Sequence, residues 1–193
     1  MKFARLAAVI VAALTLSACL PVTSKEPIGA GAGYAPDPAL YGVWRSKASD
    51  GPGTMIFVKN DDDSQSVIVV AQGKDADSGE WELFNIKASK LGSRTYMSAR
   101  EMEMNGKPAD DELAGQNIPL LYKIEGKTLT LRLLDDKKVA DAIKAGTIAG
   151  TIEPGENGDV RITANAVLMN ALFSTDAGAA LFGKPAWVMS KVE

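Results

Sequence analysis

The chain has 193 residues, with 24 acidic and 21 basic side chains, a formal net charge of −3, one cysteine and no histidine. The lack of histidine excludes Ser-His-Asp and Cys-His catalysis and zinc sites built on imidazole, so we expect a non-enzymatic protein without a cofactor. One cysteine cannot form a disulfide within the chain, so an apolar core must hold the fold. The mildly acidic charge, with no basic run, makes nucleic acid an unsuitable partner.

The first nineteen residues have the parts of a bacterial export signal. Lys2 and Arg5 form a positive region, an apolar stretch follows over 6–16, and the chain then reads Leu16-Ser17-Ala18-Cys19. The stretch is too short to span a bilayer, which favours a signal peptide over a membrane helix. The four-residue motif resembles the lipobox of bacterial lipoproteins. The resemblance implies removal of residues 1–18 and lipidation of Cys19 with diacylglycerol and an acyl chain such as palmitate.

The lipobox also implies a location. A lipid-anchored chain is attached to a membrane through Cys19, and the absence of Asp after the cysteine favours the outer membrane, facing the periplasm. An ordinary secretory signal with an incidental cysteine is the alternative. Residues 19–38 contain four prolines and a glycine-alanine run over 29–33, which predicts a flexible tether with an end-to-end distance on the order of 25 Å. The glycines do not form a nucleotide fingerprint, because no strand precedes them and no helix follows.

From Leu40 onward, short apolar stretches alternate with turn residues, which is typical of β-strands joined by hairpins. Strands are predicted over 40–46, 54–59, 66–72, 80–90, 94–103, 118–124, 127–134, 147–153, 159–163 and 185–192. Helical inserts are predicted over 135–146 and 165–182, and the second is predicted to contain a helix over 165–173 and then a short helix that Ser174 or Thr175 caps and that extends to Phe182. This order predicts a mainly β fold: an up-and-down antiparallel barrel of about eight to ten strands over 39–193, with two short helical inserts late in the chain.

The first of these strands carries a short motif. Gly42 and Trp44, in Leu40-Tyr41-Gly42-Val43-Trp44-Arg45, resemble the Gly-x-Trp signature on the first strand of lipocalins and related calycin barrels. The resemblance implies that Trp44 plugs the closed end of a barrel and that a cation from Lys191 or Arg161 lies across it. The chain lacks a Thr-Asp-Tyr turn and has more than a single late helix, so the resemblance implies a lipocalin-like barrel rather than a standard lipocalin.

The barrel interior is the place where function is expected. A barrel of about eight strands either fills with side chains or encloses one small ligand. Alternation along the strands predicts inward-facing residues that line a possible ligand cavity: Met55, Phe57, Tyr96, Tyr122, Leu131 and Trp187. One hypothesis is therefore a barrel that binds a small hydrophobic molecule or lipid. The other is a packed barrel that acts as an envelope interaction or structural protein, or as an enzyme inhibitor, through a protein partner.

No metal site is predicted. One acidic turn offers oxygen ligands but not the order of a calcium loop: Asp61, Asp62, Asp63 and Gln65. Three methionines lack the histidine or cysteine partners that a copper(I) site would favour: Met97, Met102 and Met104. Four glutamates lie on two adjacent predicted strands, but their pairing cannot be assigned from sequence: Glu80, Glu82, Glu101 and Glu103.

Overall fold

A computed structural model describes residues 21–46, 53–62, 64–72, 79–109, 115–154 and 158–192. The lipobox and Cys19 lie outside the described residues. The helices are α1 Asp136–Lys144, α2 Ala166–Phe173 and α3 Asp176–Ala179. The strands are β1 Thr23–Ser24, β2 Gly42–Ser46, β3 Thr54–Lys59, β4 Gln65–Gln72, β5 Gly79–Leu91, β6 Arg94–Met104, β7 Lys107–Pro108, β8 Ile118–Glu125, β9 Thr128–Leu133, β10 Gly150–Ile152, β11 Val160–Ile162 and β12 Trp187–Lys191.

Eight strands form a closed antiparallel barrel in the order β2-β3-β4-β5-β6-β8-β9-β12, and β12 pairs back onto β2. Neighbours along the chain are neighbours in the barrel, which confirms the predicted lipocalin-like up-and-down fold. When paired residues are traced from strand to strand once around the barrel, the path returns to its first strand about twelve residues from where it began. This stagger exceeds the shear of eight in a TIM barrel with the same number of strands, so the interior is wider and needs large side chains to fill it.

The two ends of the barrel have different connections. Short turns join β3 to β4, β5 to β6 and β8 to β9 at one end, which we call the closed end. At the other end, the open end, longer connections join β2 to β3, β4 to β5, β6 to β8 and β9 to β12. The last of these connections, 134–186, contains the three helices of the described residues.

The predicted strands 147–153 and 159–163 are not barrel strands. Their described parts, β10 and β11, form a separate three-stranded sheet with β1, in which β1 runs parallel to β11. Buried side chains of this sheet and of α1 and α2 form a second apolar cluster outside the barrel, with Leu91 and Tyr96 contributed by the barrel strands. The predicted break in the second insert is confirmed: α2 ends at Phe173, and Thr175 accepts a hydrogen bond from Gly178 N and caps α3.

The prediction of a flexible tether over 19–38 is wrong for the part that is described. Val22 and Ile28 are buried in the second cluster. Ile28 N donates to Ser98 Oγ at 2.9 Å, and Gly29 N donates to Asn170 Oδ1 at 2.8 Å. Gly29 has φ +89 and packs against the side chain of Ser89, where a Cβ would collide. The glycine therefore serves close packing, and the domain begins before residue 39.

Replacing Ile28 with alanine tests whether this segment belongs to the fold. We expect Ile28→Ala to lower the free energy of unfolding by about 2–5 kcal/mol, because it leaves a cavity in a closed cluster. Val167→Ala is the control: Val167 is 76% exposed, and its truncation should change stability by less than about 0.5 kcal/mol. Urea denaturation measures both. Equal stability of Ile28→Ala and the wild type would contradict this and favour the prediction of a flexible tether.

Candidate functional site

The closed end of the barrel is plugged by Trp44. This side chain is fully buried, and its Nε1 donates to the carbonyl oxygen of Leu40 at 2.6 Å. Lys191 lies across the indole, with Nζ 5.1 Å from the ring centroid, and also donates to Ala39 O at 3.2 Å. Arg161 does not approach Trp44; it lies on β11, paired with Thr23. The cation that covers the plug therefore comes from the last barrel strand.

Gly42 makes room for this cation. Its φ is +113, a conformation that side chains with a Cβ rarely adopt, and a Cβ there would lie 3.3 Å from Cε of Lys191. Lys191 stands opposite Trp44 in the pairing of β12 with β2. Both members of the Gly-x-Trp motif therefore have a physical role: one fills the end of the barrel, and the other lets the covering lysine approach.

Replacing Gly42 with alanine should lower the free energy of unfolding by about 1–3 kcal/mol, because it adds backbone strain and displaces Lys191. Gly92→Ala is the matched control, since Gly92 also has positive φ, +62, but nothing lies within 4 Å of its would-be Cβ. We expect Gly92→Ala to lower the free energy of unfolding by less than Gly42→Ala does. Chemical denaturation of both variants, each with and without Lys191→Met, separates strain from the lost cation–π contact. If Lys191→Met lowers the free energy of unfolding as much in the Gly42→Ala background as in the wild type, this role for Gly42 is wrong.

Five of the six residues predicted to line a ligand cavity lie on the interior side of the barrel. Met55, Phe57, Tyr122 and Leu131 are buried in its core, and Trp187 packs against that core while staying partly accessible. The sixth assignment, Tyr96, is wrong. Its ring packs between Phe173 and Phe182 in the second cluster. Its hydroxyl donates to Phe173 O at 2.7 Å, so this side chain ties the late helices to the outside of the barrel.

The interior around these residues is filled by side chains. The four buried residues just named are at most 5% exposed, and a void large enough for a ligand would leave part of their surface accessible. Tyr122 extends to the closed end, where its hydroxyl donates to Asp37 Oδ2 at 2.7 Å. Burial raises the pKa of Tyr122, and the hydrogen bond with Asp37 and the charge of that carboxylate raise it further. Tyr122 is therefore a neutral hydrogen-bond donor rather than a base.

The open half of the barrel is more polar. Glu82 faces the interior one step beyond Phe84, and Glu101, which is buried, pairs with Phe84 across the strands. Burial raises the pKa of Glu82, and the charges of Glu101 and Glu80 raise it further. Partly buried apolar side chains surround the same end: Val69, Ile118, Leu133 and Trp187. A group that enters the barrel from this end therefore meets apolar walls and negative charge.

The other sequence candidates are not brought together. Met97 lies in the barrel core, while Met102 and Met104 are exposed. Asp63 lies outside the described residues, and Asp62 accepts a hydrogen bond from Ser64 N within its own turn. Across the described ranges, no group of three or more His, Cys, Asp and Glu side chains is arranged to hold a metal ion. None of the described helices has the length and apolarity needed to cross a bilayer.

Sequence reasoning missed two clefts beside β5. The first has a volume of about 250 Å³ and is lined by Asn85, Lys87, Ser98, Arg100, Met102 and Asn117. The second, of about 180 Å³, is lined by Tyr34, Ala35, Pro36, Ser64, Gln65, Asn85, Ile86, Lys87 and Ala88. The polar side chains that face outward on β5 and β6 could have indicated the first cleft from the sequence. The wall formed by residues 34–36 could not, because that segment was predicted to be a tether.

Comparison of the chain with protein families, curated proteins and solved structures finds no match. The class of this protein, a lipocalin-like up-and-down β-barrel, is therefore established by strand order and closure alone.

Proposed function

We propose that this chain is a lipid-anchored, non-enzymatic envelope protein that acts through its outer surface by binding a partner in the periplasm, as an interaction protein or an enzyme inhibitor does. The observation that carries the proposal is the filled interior. Five large side chains from four neighbouring barrel strands are each 2% exposed or less: Trp44, Phe57, Leu129, Leu131 and Met189. A filled interior leaves the outer surface and the open end as the places for recognition.

The lipid anchor is supported by the lipobox, and the fold adds a consequence. Val22 is buried only three residues after Cys19, and three extended residues span about 10 Å. A lipid on Cys19 would hold the domain against the headgroups instead of about 25 Å away. The face turned to the membrane would be the one near the start of α1, because the backbone N–H of Val22 lies near the carboxyl of Asp136. Lys137 and Lys138 are exposed there.

Removal of the acceptor thiol tests the anchor. In bacteria, we expect Cys19→Ser to move the protein from the membrane fraction to the soluble periplasm and to abolish labelling with radioactive palmitate, because two or more acyl chains are needed for stable attachment. Ser17→Ala keeps a small residue in the lipobox and should leave both readouts unchanged. If the wild-type protein takes up no palmitate, the proposed lipid anchor is wrong and an ordinary secretory signal is favoured.

A second candidate function, binding of a small hydrophobic molecule or lipid, is favoured by the open end. Four apolar side chains are only partly buried there: Val69, Ile118, Leu133 and Trp187. An apolar ligand could therefore contact them without entering the packed interior.

Native mass spectrometry separates the two functions. The secreted Cys19→Ser protein, purified without detergent, should give one ligand-free mass and take up no fluorescent fatty acid, because its interior is filled. A discrete adduct lost on organic extraction, and weakened by Trp187→Ala but not by Val188→Ala, would favour the hydrophobic ligand instead. Val188 is the matched control, because it is the next residue on β12 and is exposed on the outside.

A further inference from the structure

The first cleft beside β5 lies on the outward face of the barrel wall. Asn85 and Lys87 alternate along β5 with residues that face the barrel core, and they pair with Arg100 and Ser98 on β6. Asn117, which leads into β8, completes the polar lining. The volume of about 250 Å³ is smaller than that of a site for a drug-sized ligand, so the cleft suits one small chemical group.

Hydrogen bonds to the N-terminal segment fix the walls of the first cleft. Ser98 Oγ accepts from Ile28 N at 2.9 Å. Asn117 Nδ2 donates to Ser24 O at 3.2 Å and to Lys25 O at 3.0 Å. These two lining side chains therefore serve the fold, and they give the cleft its shape before any ligand arrives, which lowers the entropy cost of binding.

Two cations without a counter-ion face the first cleft. Lys87 and Arg100 are half-buried, and neither forms an ion pair with any residue in the described ranges. They occupy diagonal positions on neighbouring strands, which lie about 7–8 Å apart, so their like charges repel each other. No aspartate or glutamate is among the described residues that line the cleft. An anion between the two cations removes this repulsion and gains charge-assisted hydrogen bonds.

Tyr34 restricts the position of Lys87. The Nζ atom of Lys87 lies 5.2 Å from the centroid of the Tyr34 ring, a cation–π contact that limits the freedom of the long side chain. Burial, and then the charge of Glu26, raise the pKa of Tyr34 to about 12. Because Glu26 acts at Tyr34 and does not line the first cleft, an anion is favoured towards Arg100.

We propose that the first cleft binds a phosphate group. A phosphate monoester carries a charge of about −1.5 to −2 at neutral pH and presents three acceptor oxygens. Two cations neutralise that charge, whereas a carboxylate leaves one of them unpaired. Arg100 supplies a planar fork of N–H donors, Lys87 an ammonium group and Asn85 a side-chain amide. This site rests on the cleft alone, so its test stands apart from those of the lipid anchor and the barrel interior.

A soluble phosphate ester and the head group of a membrane lipid are two sources of this chemistry. Asn117 holds Ser24 beside the first cleft. The five residues from Cys19 to Ser24 span at most about 18 Å, so a lipid on Cys19 would bring membrane head groups close to the cleft. Both sources present the same group to Arg100 and Lys87.

Backbone amide chemical shifts of the secreted Cys19→Ser protein test the proposal, with inorganic phosphate and acetate as probes at constant ionic strength. We expect phosphate to shift the amides of Asn85, Lys87 and Ser98 with a dissociation constant below about 10 mM, and to leave those of α1 in place. Acetate should bind at least about tenfold more weakly, because it neutralises only one cation. The proposal is overturned if phosphate gives no saturable shift, or if acetate binds as tightly as phosphate.

A charge-removing substitution tests the assigned contact. Arg100→Gln should weaken phosphate binding at least about tenfold, because it removes a charge-assisted contact and keeps a polar side chain. Lys144→Gln, which removes an exposed cation of α1, is the matched control and should leave binding unchanged. A folded Arg100→Gln protein that binds phosphate as the wild type does contradicts the proposal. If this variant does not fold, the wild-type shifts and the acetate comparison still decide.

Sedimentation with vesicles separates the two sources of phosphate. If the cleft takes a lipid head group, the secreted protein should sediment with phosphatidylcholine vesicles that contain phosphatidic acid, and Arg100→Gln should abolish this. If it takes a soluble ester, glycerol 3-phosphate should shift the amides of Asn85 and Lys87, and the protein should stay in the supernatant with both vesicles. Failure of both glycerol 3-phosphate and phosphatidic acid to bind would overturn the phosphate site.

Discussion

The barrel depends on the contact that joins its first strand to its last. Strands β2 and β12 are far apart in the chain, and their pairing places Lys191 opposite Trp44. The buried indole fills the closed end, Leu40 accepts its N–H, and the lysine covers its face. Such a cation–π contact contributes about 0.5–2 kcal/mol, and burial of the indole contributes more. Closure also removes the two exposed edges that an open sheet would present to other chains.

Two segments outside the barrel strands complete the domain. The N-terminal residues 21–40 and the insert between β9 and β12 share an apolar cluster, whose largest fully buried members include Ile28, Ile162, Met169 and Phe173. Tyr96 connects this cluster to the barrel wall. The covering layer leaves the open end and the part of β5 and β6 that lines the first cleft accessible to solvent.

The sequence predicted those parts of the structure that depend on local pattern. Period-two alternation put Phe84 and Ile86 on one side of β5 and Trp81 and Leu83 on the other, and the structure shows that the first pair faces the barrel core. The turn at Gly126 likewise predicted the β8–β9 hairpin. Alternation failed on β6, where Tyr96 to Ala99 are all buried, because one side faces the barrel core and the other faces the second cluster. When both faces are covered, apolar character no longer distinguishes inside from outside.

The remaining errors concern contacts between distant residues. The segment around Ile28 looked like a tether because its own residues are small or proline-rich. Its order comes from Ser98 and Asn170, which are 70 and 141 residues away from their partners in the chain. The two clefts beside β5 were missed for the same reason, since their walls come from β5, β6 and the segment near Tyr34. Clefts of this kind are assembled by packing between distant segments, which no local pattern in the sequence records.

Xenon binding to crystals of the secreted Cys19→Ser protein shows whether the barrel interior is packed. Xenon enters dry apolar cavities, so we expect no ordered xenon atom among the buried interior side chains of Trp44, Phe57, Leu129, Leu131 and Met189. A well-occupied xenon site beside these side chains would show that the interior is not packed, because it would reveal a cavity able to hold an apolar ligand and would favour a function inside the barrel.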